Sequence, residues 1–454
     1  MSSRQTLAVI LGFLFVAIPA AHAGLEEYVG KPEPAFAWKL LEKKETDQGT
    51  IYDLHLVSQT WQNMTWEHQL QVYQPKGVKP NAKMLLWNTG GRANEGNIAM
   101  GMELASKSKA PCAFLYGVPN QPLLGGKKED GLIALSFVLY LHTQDENWPL
   151  LFPMVKSVVK AMDALQAFSK QEWKRPVEKF IIAGGSKRGW TSWLSAAADE
   201  RVMAICPCVI DTLNMPKQMP HQLETFGRYS VMIKDYTSTG LVPMPTSPEA
   251  RRLWSMVDPY AYRDKLTMPK FIVNGNNDPY WSTDSLNLYW DDLKGEKWVM
   301  YVPNAGHNLE QHLKNGEKNR TRALNGIAAF ARSQIAGKSL PKLDWKHTTD
   351  GDKLKLSIVS SEHPLAARLW SADADNQDFR VSPWREKPAV IEQSTKTVVV
   401  NGSLSTAVEE RVRGEVAAPK EGCLAFYGEL EYEIDGIRYQ LSTQLRVAGK
   451  PIGK

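Results

Sequence analysis

One stretch constrains this chain more than any other: Phe180-Ile181-Ile182-Ala183-Gly184-Gly185-Ser186-Lys187-Arg188-Gly189-Trp190. An apolar, β-branched run stops at two glycines. A serine follows, and then an alanine-rich segment that reaches Ala198. The pattern predicts a buried strand, a sharp turn and a helix, with Ser186 in the turn. This is the layout of a nucleophile elbow. Glycines let the turn bring backbone against backbone, and the serine is held in a strained conformation. The helix N-terminus behind it offers free N–H groups to a developing oxyanion. An ordinary strand-to-helix turn satisfies the same pattern. The motif also departs from G-x-S-x-G, because Arg188 stands at the second position after the serine and Gly189 comes one residue late.

At 454 residues the chain exceeds one compact core, so two or three domains are expected. Met1-Ser2-Ser3-Arg4 is a short basic start, Leu7 to Ala20 is apolar, and Ala21-His22-Ala23 has the form of a cleavage site before Gly24. Residues 1–23 read as a secretory signal peptide, too short for the roughly 20 residues of a membrane span. No later stretch is apolar enough to span. Loss of Arg4 takes the formal charge from +5 to +4 (5 − 1). There is no basic tail and no aromatic-basic repeat, so a nucleic-acid partner is not implied. Cys112, Cys206, Cys208 and Cys423 read as buried small residues, with room for one unassigned disulfide in an oxidising compartment.

Strand and helix patterns then alternate. Residues 50–75 predict two antiparallel strands, and 84–87, 113–118, 179–183, 202–210, 270–275 and 297–302 predict short buried strands. Helices are expected at about 96–106, 131–143, 154–168, 190–198, 282–293 and 318–335. This order predicts an α/β fold, a mostly parallel sheet with helices on both faces, over residues 24–338. Residues 212–258, rich in Met, Pro and aromatics, read as an insertion or lid. From 339 to 454 short alternating runs predict a C-terminal all-β, sandwich-like domain.

A nucleophilic Ser186 needs a base and the base needs an orienting acid. In an α/β-hydrolase these follow in the order Ser, Asp/Glu, His, each on a loop after a strand. His307 follows the strand ending at Val302, within Asn304-Ala305-Gly306-His307, and Asp278 follows the strand ending at Gly275. Asp211 ends another strand and competes for the acid position. His307 and His312 are five apart, a spacing that fits no zinc motif, so no metal is expected. No cofactor is expected either. The oxyanion hole is expected from the Lys187 N–H and the Thr89-Gly90-Gly91 loop, where glycine permits close backbone approach. Lys187 and Arg188 are cations in a first helical turn, opposing the helix dipole. Either Arg188 recognises a substrate carboxylate or the pair meets acids of the protein itself.

Several motifs resemble the PhoPQ-activated pathogenicity-related protein family: Glu129-Asp130-Gly131, the run from Trp148 to Ser157, Ala161-Met162-Asp163-Ala164, the elbow through Thr191, Ser58-Gln59-Thr60-Trp61 and Asn304-Ala305-Gly306-His307. The resemblance implies a secreted or periplasmic, α/β-hydrolase-like protein, akin to eukaryotic autocrine proliferation repressors and associated with virulence. It carries a triad onto Ser186, Asp278 and His307. The late glycine is also similar to glucuronoyl esterases. The expected function is a serine hydrolase, esterase-like, acting on a small-molecule, glycan or lipid ester. The alternatives are a non-catalytic binding or signalling protein on the same fold and, third, a peptidase.

Overall fold

The computed structural model describes residues 24–400 and 403–452. The expected signal peptide, residues 1–23, lies outside the described residues. After a short helix α1 (Leu25–Gly30) the chain enters through an antiparallel run, β1 (Ala37–Glu45), β2 (Gly49–Trp61) and β3 (Met64–Pro75). The parallel part follows: β4 (Lys83–Asn88), α2 (Glu95–Ser108), β5 (Cys112–Leu115), α3 (Glu129–Thr143), α4 (Leu151–Trp173), β6 (Lys179–Gly185), α5 (Lys187–Ala198) and β7 (Val202–Cys208).

Next come α6 (Met215–Phe226), α7 (Lys234–Thr237) and α8 (Pro248–Val257), and then β8 (Lys270–Gly275) and β9 (Lys297–Val302). A small hairpin, β10 (Gln311–His312) with β11 (Lys318–Asn319), precedes α9 (Thr321–Ile335). The spatial order is β1-β2-β3-β5-β4-β6-β7-β8-β9. From β5 to β9 every neighbouring pair is parallel. This is the α/β-hydrolase arrangement, with β1 added at the edge.

The strands are apolar on both faces because both are covered. One core layer joins Phe152, Met162 and Leu165 of α4 and Trp193 of α5 to Ile182 and Leu86. The other joins Leu104 of α2 and Ile327 and Phe330 of α9 to Ile181, Phe271 and Met300. The four cysteines are buried and unpaired, so the disulfide considered from the sequence is not formed.

Two stretches differ from the sequence reading. The insertion, read as weakly periodic, is largely helical. Its apolar period is broken by Gln218 and Gln222, which are fully buried and donate to the Ser285 and Tyr280 carbonyls. The helix expected at 282–293 is two single 3₁₀ turns, Ser285–Leu288 and Trp290–Asp292. Asp284 there takes a hydrogen bond from the His221 imidazole at 2.7 Å, and Ser282 pairs with Thr225 at 2.7 Å. Side-chain bonds of this kind compete with helix formation.

The C-terminal region contains β12 (Leu343–Asp350), β13 (Lys353–Ser360), β14 (Ala366–Ala374), β15 (Arg385–Pro388), β16 (Val390–Val400), β17 (Ser403–Ala417), β18 (Gly422–Ile434), β19 (Ile437–Ser442) and β20 (Arg446–Lys450). One sheet is β12-β13-β17-β16. The other, β19-β18-β14-β15 with β20 on β18, continues the central sheet, because β19 meets β9 at Ser442 and Val299. Leu356, Ile358, Phe426 and Leu441 share a core layer with Phe271 and Phe330. The all-β region is therefore fused to the hydrolase sheet rather than tethered beside it.

Candidate active site

Ser186 stands between the end of β6 and the start of α5 with φ 58° and ψ −131°. Such a backbone costs a non-glycine residue about 1–3 kcal/mol and persists only where its surroundings enforce it. Here the Ser186 N–H donates to the Cys208 carbonyl on β7 at 2.9 Å. The Gly189 and Trp190 N–H groups both donate to the Ser186 carbonyl. The Lys187 N–H therefore lies ahead of the helical ladder, beside the serine, where an oxyanion would form.

The late glycine has a steric reason. A Cβ on Gly189 would lie 2.6 Å from Ile210 Cγ2 and 2.9 Å from the Gly184 carbonyl, whereas one on Gly185 would meet Val209 Cγ2 only at an ordinary 4.0 Å. Close packing of α5 on the sheet thus requires glycine three residues after the serine.

Lys187 and Arg188 are both buried, and both meet acids at the N-terminus of α3. Arg188 grips the Glu129 carboxylate bidentately at 2.7 and 2.8 Å, and its Nε donates to the Val118 carbonyl at 2.5 Å. Lys187 Nζ lies 2.9 Å from Glu129 and 3.3 Å from Asp130. Burial opposes the Glu129 charge, but Arg188 first and then Lys187 hold that carboxyl well below the usual carboxylate range. Glu129 itself has φ 50°, a strained value fixed by a 2.7 Å bond from its N–H to Gln121 Oε1. Of the two roles open to Arg188, the structure places it on a protein acid. Three of its five N–H groups are engaged in these bonds.

The same side chain explains the glycine in the loop after β4. A Cβ on Gly90 would lie 2.3 Å from Arg188 Nη2. Gly91, at φ 65°, lines a separate polar cleft with His55, Glu67 and His68. Lys187 is among the residues lining the cleft over Ser186.

The loops after β8 and β9 bring Asp278 and His307 together. His307 Nδ1 and Asp278 Oδ2 are 2.7 Å apart, and the other carboxylate oxygen accepts the Tyr280 N–H at 2.8 Å. Asp278 is 6% exposed. The opposite imidazole nitrogen, Nε2, is buried and has no hydrogen-bond partner. The Tyr280 ring stacks on the imidazole with centroids 4.2 Å apart. Asp211, the competing acid, faces elsewhere. It accepts hydrogen bonds from Asn274 at 2.9 Å and from the Tyr289 hydroxyl at 2.5 Å, and burial pushes its carboxyl up to about 7. His312 pairs with Lys318 in the small hairpin.

Above Ser186 lies a narrow cleft. Its floor holds Ser186, Lys187, Trp190 and Ile210, and Tyr280 and Trp281 form one side. The insertion supplies much of the remainder through Met215, Met219, Ile233, Tyr236, Val242 and Trp254. The lining is chiefly apolar. Asp130 is its acid, and it accepts the Tyr236 hydroxyl at 3.2 Å while facing Lys187. Burial, then Asp130, pushes the Tyr280 phenol up to about 12, so it stays a neutral hydroxyl. Sequence reasoning did not assign Glu129, Asp130 or Tyr280 to the site. The available signal was a pair of adjacent acids, Glu129 and Asp130, and a pair of adjacent bases, Lys187 and Arg188, beside the elbow.

A profile of the PhoPQ-activated pathogenicity-related proteins matches residues 25–380. The chain belongs to this family. The chain is 31% identical over 434 residues to autocrine proliferation repressor protein A of Dictyostelium discoideum, an alignment that covers 90% of this chain and 85% of that one. Among solved structures it is similar to acetyl xylan esterase 1 from Thermoanaerobacterium, with a TM-score of 0.46, 14% identity, and 62% of this chain against 88% of that one. It is also similar to an S-formylglutathione hydrolase from Agrobacterium tumefaciens, with a TM-score of 0.42, 14% identity, and coverage of 66% and 98%. No helix among the described residues is long and apolar enough to cross a membrane.

Proposed function

We propose that this chain is an exported serine hydrolase that cleaves uncharged esters with an apolar acyl or aryl part. One observation carries the reading: the hydrogen-bonded His307–Asp278 pair stands on the two loops where an α/β-hydrolase keeps its base and acid, on the same sheet edge as a strained Ser186. Ser186 Oγ attacks the ester carbonyl, and its proton passes to His307 Nε2. Asp278 holds Nδ1–H and stabilises the imidazolium. The Lys187 N–H receives the developing oxyanion. The C–O bond to the alcohol breaks as His307 returns the proton to the leaving oxygen. Water, deprotonated by His307, then releases the acid from the acyl-enzyme.

The substrate class follows from the cleft. The cation of its lining, Lys187, faces Asp130 and Glu129, so no unpaired positive charge remains to attract a carboxylate, and the walls are chiefly Met, Trp, Ile, Val and Tyr. The test is covalent labelling of the purified mature protein by a fluorophosphonate, beside Ser186→Ala and His307→Ala. Labelling of the wild type that both variants lose, with circular dichroism unchanged, supports the reading. A second reading, a binding or signalling protein on the same fold, is favoured by the repressor name of the 31% identical relative. A folded wild type that takes no label would shift the conclusion to it.

A further inference from the structure

Asn277 and Asn304 have side chains that the chemistry above does not use. Asn277 immediately precedes Asp278. Its Nδ2 reaches three main-chain carbonyls of the loop between β14 and β15: Phe379 at 3.1 Å, Arg380 at 3.2 Å and Ser382 at 2.9 Å. Asn304 stands three residues before His307. Its Nδ2 donates to the Trp384 carbonyl at 2.9 Å, and its Oδ1 accepts the Trp384 N–H at 2.8 Å, so the side chain pairs with that residue as a strand neighbour would. A third contact, Asn276 Nδ2 to the Tyr427 hydroxyl, is 3.4 Å long.

The loop that receives these bonds is itself anchored. Phe379 and Trp384 are buried, the Trp384 ring packs against Tyr427 at 5.6 Å, and Ser382 Oγ donates to the Asp373 carbonyl at 2.9 Å. The same loop touches the insertion, where the Arg380 guanidinium lies 3.8 Å from the centre of the Phe226 ring. The acid and base loops also bond to each other, Asn277 N–H to the Ala305 carbonyl at 2.9 Å. One short segment of the all-β region therefore meets the acid loop, the base loop and the end of α6.

We infer that the segment Phe379–Trp384 is a positioning element of the active site, and that Asn277 and Asn304 are the positioning residues through which it fixes Asp278 and His307. This inference rests on the triad reading. It also gives the all-β region a role inside the hydrolase rather than as a separate contact module. The physical need is real. The imidazole must aim Nε2 at the serine within a fraction of an ångström, and the loop that carries it is tied to the all-β segment as well as to Asp278, the Tyr280 ring and its own hairpin. Misplacement by about 1 Å costs about 100-fold in rate.

Two substitutions separate positioning from folding. Asn277→Asp keeps the shape but replaces the Nδ2 amide group, with its two N–H donors, by one oxygen that faces three carbonyls. Asn304→Gly removes the pairing to Trp384 and keeps the backbone, since Asn304 has φ 54° and Ala there would add strain of its own. Leu365→Ser, at an exposed residue of the all-β region outside that segment, is the control. The assay is hydrolysis of p-nitrophenyl butyrate across pH, together with the rate of fluorophosphonate labelling. Each asparagine variant is expected to lose about 10- to 100-fold in kcat and in labelling rate, with KM within about 2-fold and the acid limb of the pH profile displaced. Leu365→Ser is expected to match the wild type. Asn304→Asp, which keeps the acceptor for Trp384, is expected to fall between Asn304→Gly and the wild type. If His307→Ala abolishes labelling while both asparagine variants keep wild-type kcat and pH profile, the inference fails and the triad stands. If His307→Ala leaves labelling intact, the triad fails, and the inference with it.

Discussion

Glu129→Gln is the sharpest structural test, because Glu129 is the acid that both cations of the elbow share. The Lys187 and Arg188 side chains are 8% and 11% exposed, so neither can turn to water when its partner is lost. Breaking one side of a buried ion pair costs about 3–5 kcal/mol. Two features reduce that here. Glu129 is itself 43% exposed, so solvent already screens part of the attraction, and Asp130 remains 3.3 Å from Lys187. Arg188 keeps the Val118 carbonyl and gains a neutral amide oxygen in place of the carboxylate. The expected loss is therefore about 2–3 kcal/mol of unfolding free energy.

Urea unfolding followed by tryptophan fluorescence measures this loss. A double-mutant cycle with Arg188→Met isolates the pair, with an expected coupling of at least about 1.5 kcal/mol. Because Arg188 lies two residues after Ser186, labelling by the fluorophosphonate should slow by about 10-fold in Glu129→Gln. A coupling under about 0.5 kcal/mol with unchanged labelling would refute the claim that this ion pair braces the elbow.

Other outcomes separate the remaining assignments. Asp278→Asn is expected to reduce kcat by about 10⁴-fold by presenting the wrong partner to Nδ1, whereas Asp211→Asn should leave kcat within about 3-fold; steady-state kinetics on p-nitrophenyl butyrate decides between the two acids. Asp211 also sets a pH dependence of stability. Burial raises its pKa from 3.8 to about 7, so between those values the folded chain keeps a proton that the unfolded chain has released. Its contribution thus falls as pH rises through that window, and Asp211→Asn should flatten the decline; urea midpoints at pH 5 and pH 7.5 in both proteins provide the check. Met219→Ala and Trp254→Ala enlarge the cleft from the insertion side, and both should shift the preferred p-nitrophenyl ester toward longer acyl chains. An unchanged chain-length profile would place the acyl group elsewhere.

What the sequence determined by itself is local. Ser186 was legible because a β-branched strand, paired glycines and an alanine-rich helix each follow from short-range sterics and propensity. Asp278 and His307 were legible because each sits in a turn of Gly and Asn just beyond a buried strand. The parallel sheet followed from the alternation of apolar strands with helices. The tertiary structure decided everything that depends on distant neighbours. Arg188 and Glu129 are 59 residues apart, and only the crossing of α3 over the elbow makes one the partner of the other. Asn277 and Phe379 are 102 apart. The Gln218 and Gln222 side chains hid a helix because their buried partners lie in another loop. The same holds for the all-β region, whose pattern shows strands but not that β19 would extend the sheet at β9. A side chain's polarity is written in the sequence, but its partner is chosen by the fold, because burial makes an unpaired polar group costly and the group that satisfies it need only be near in space.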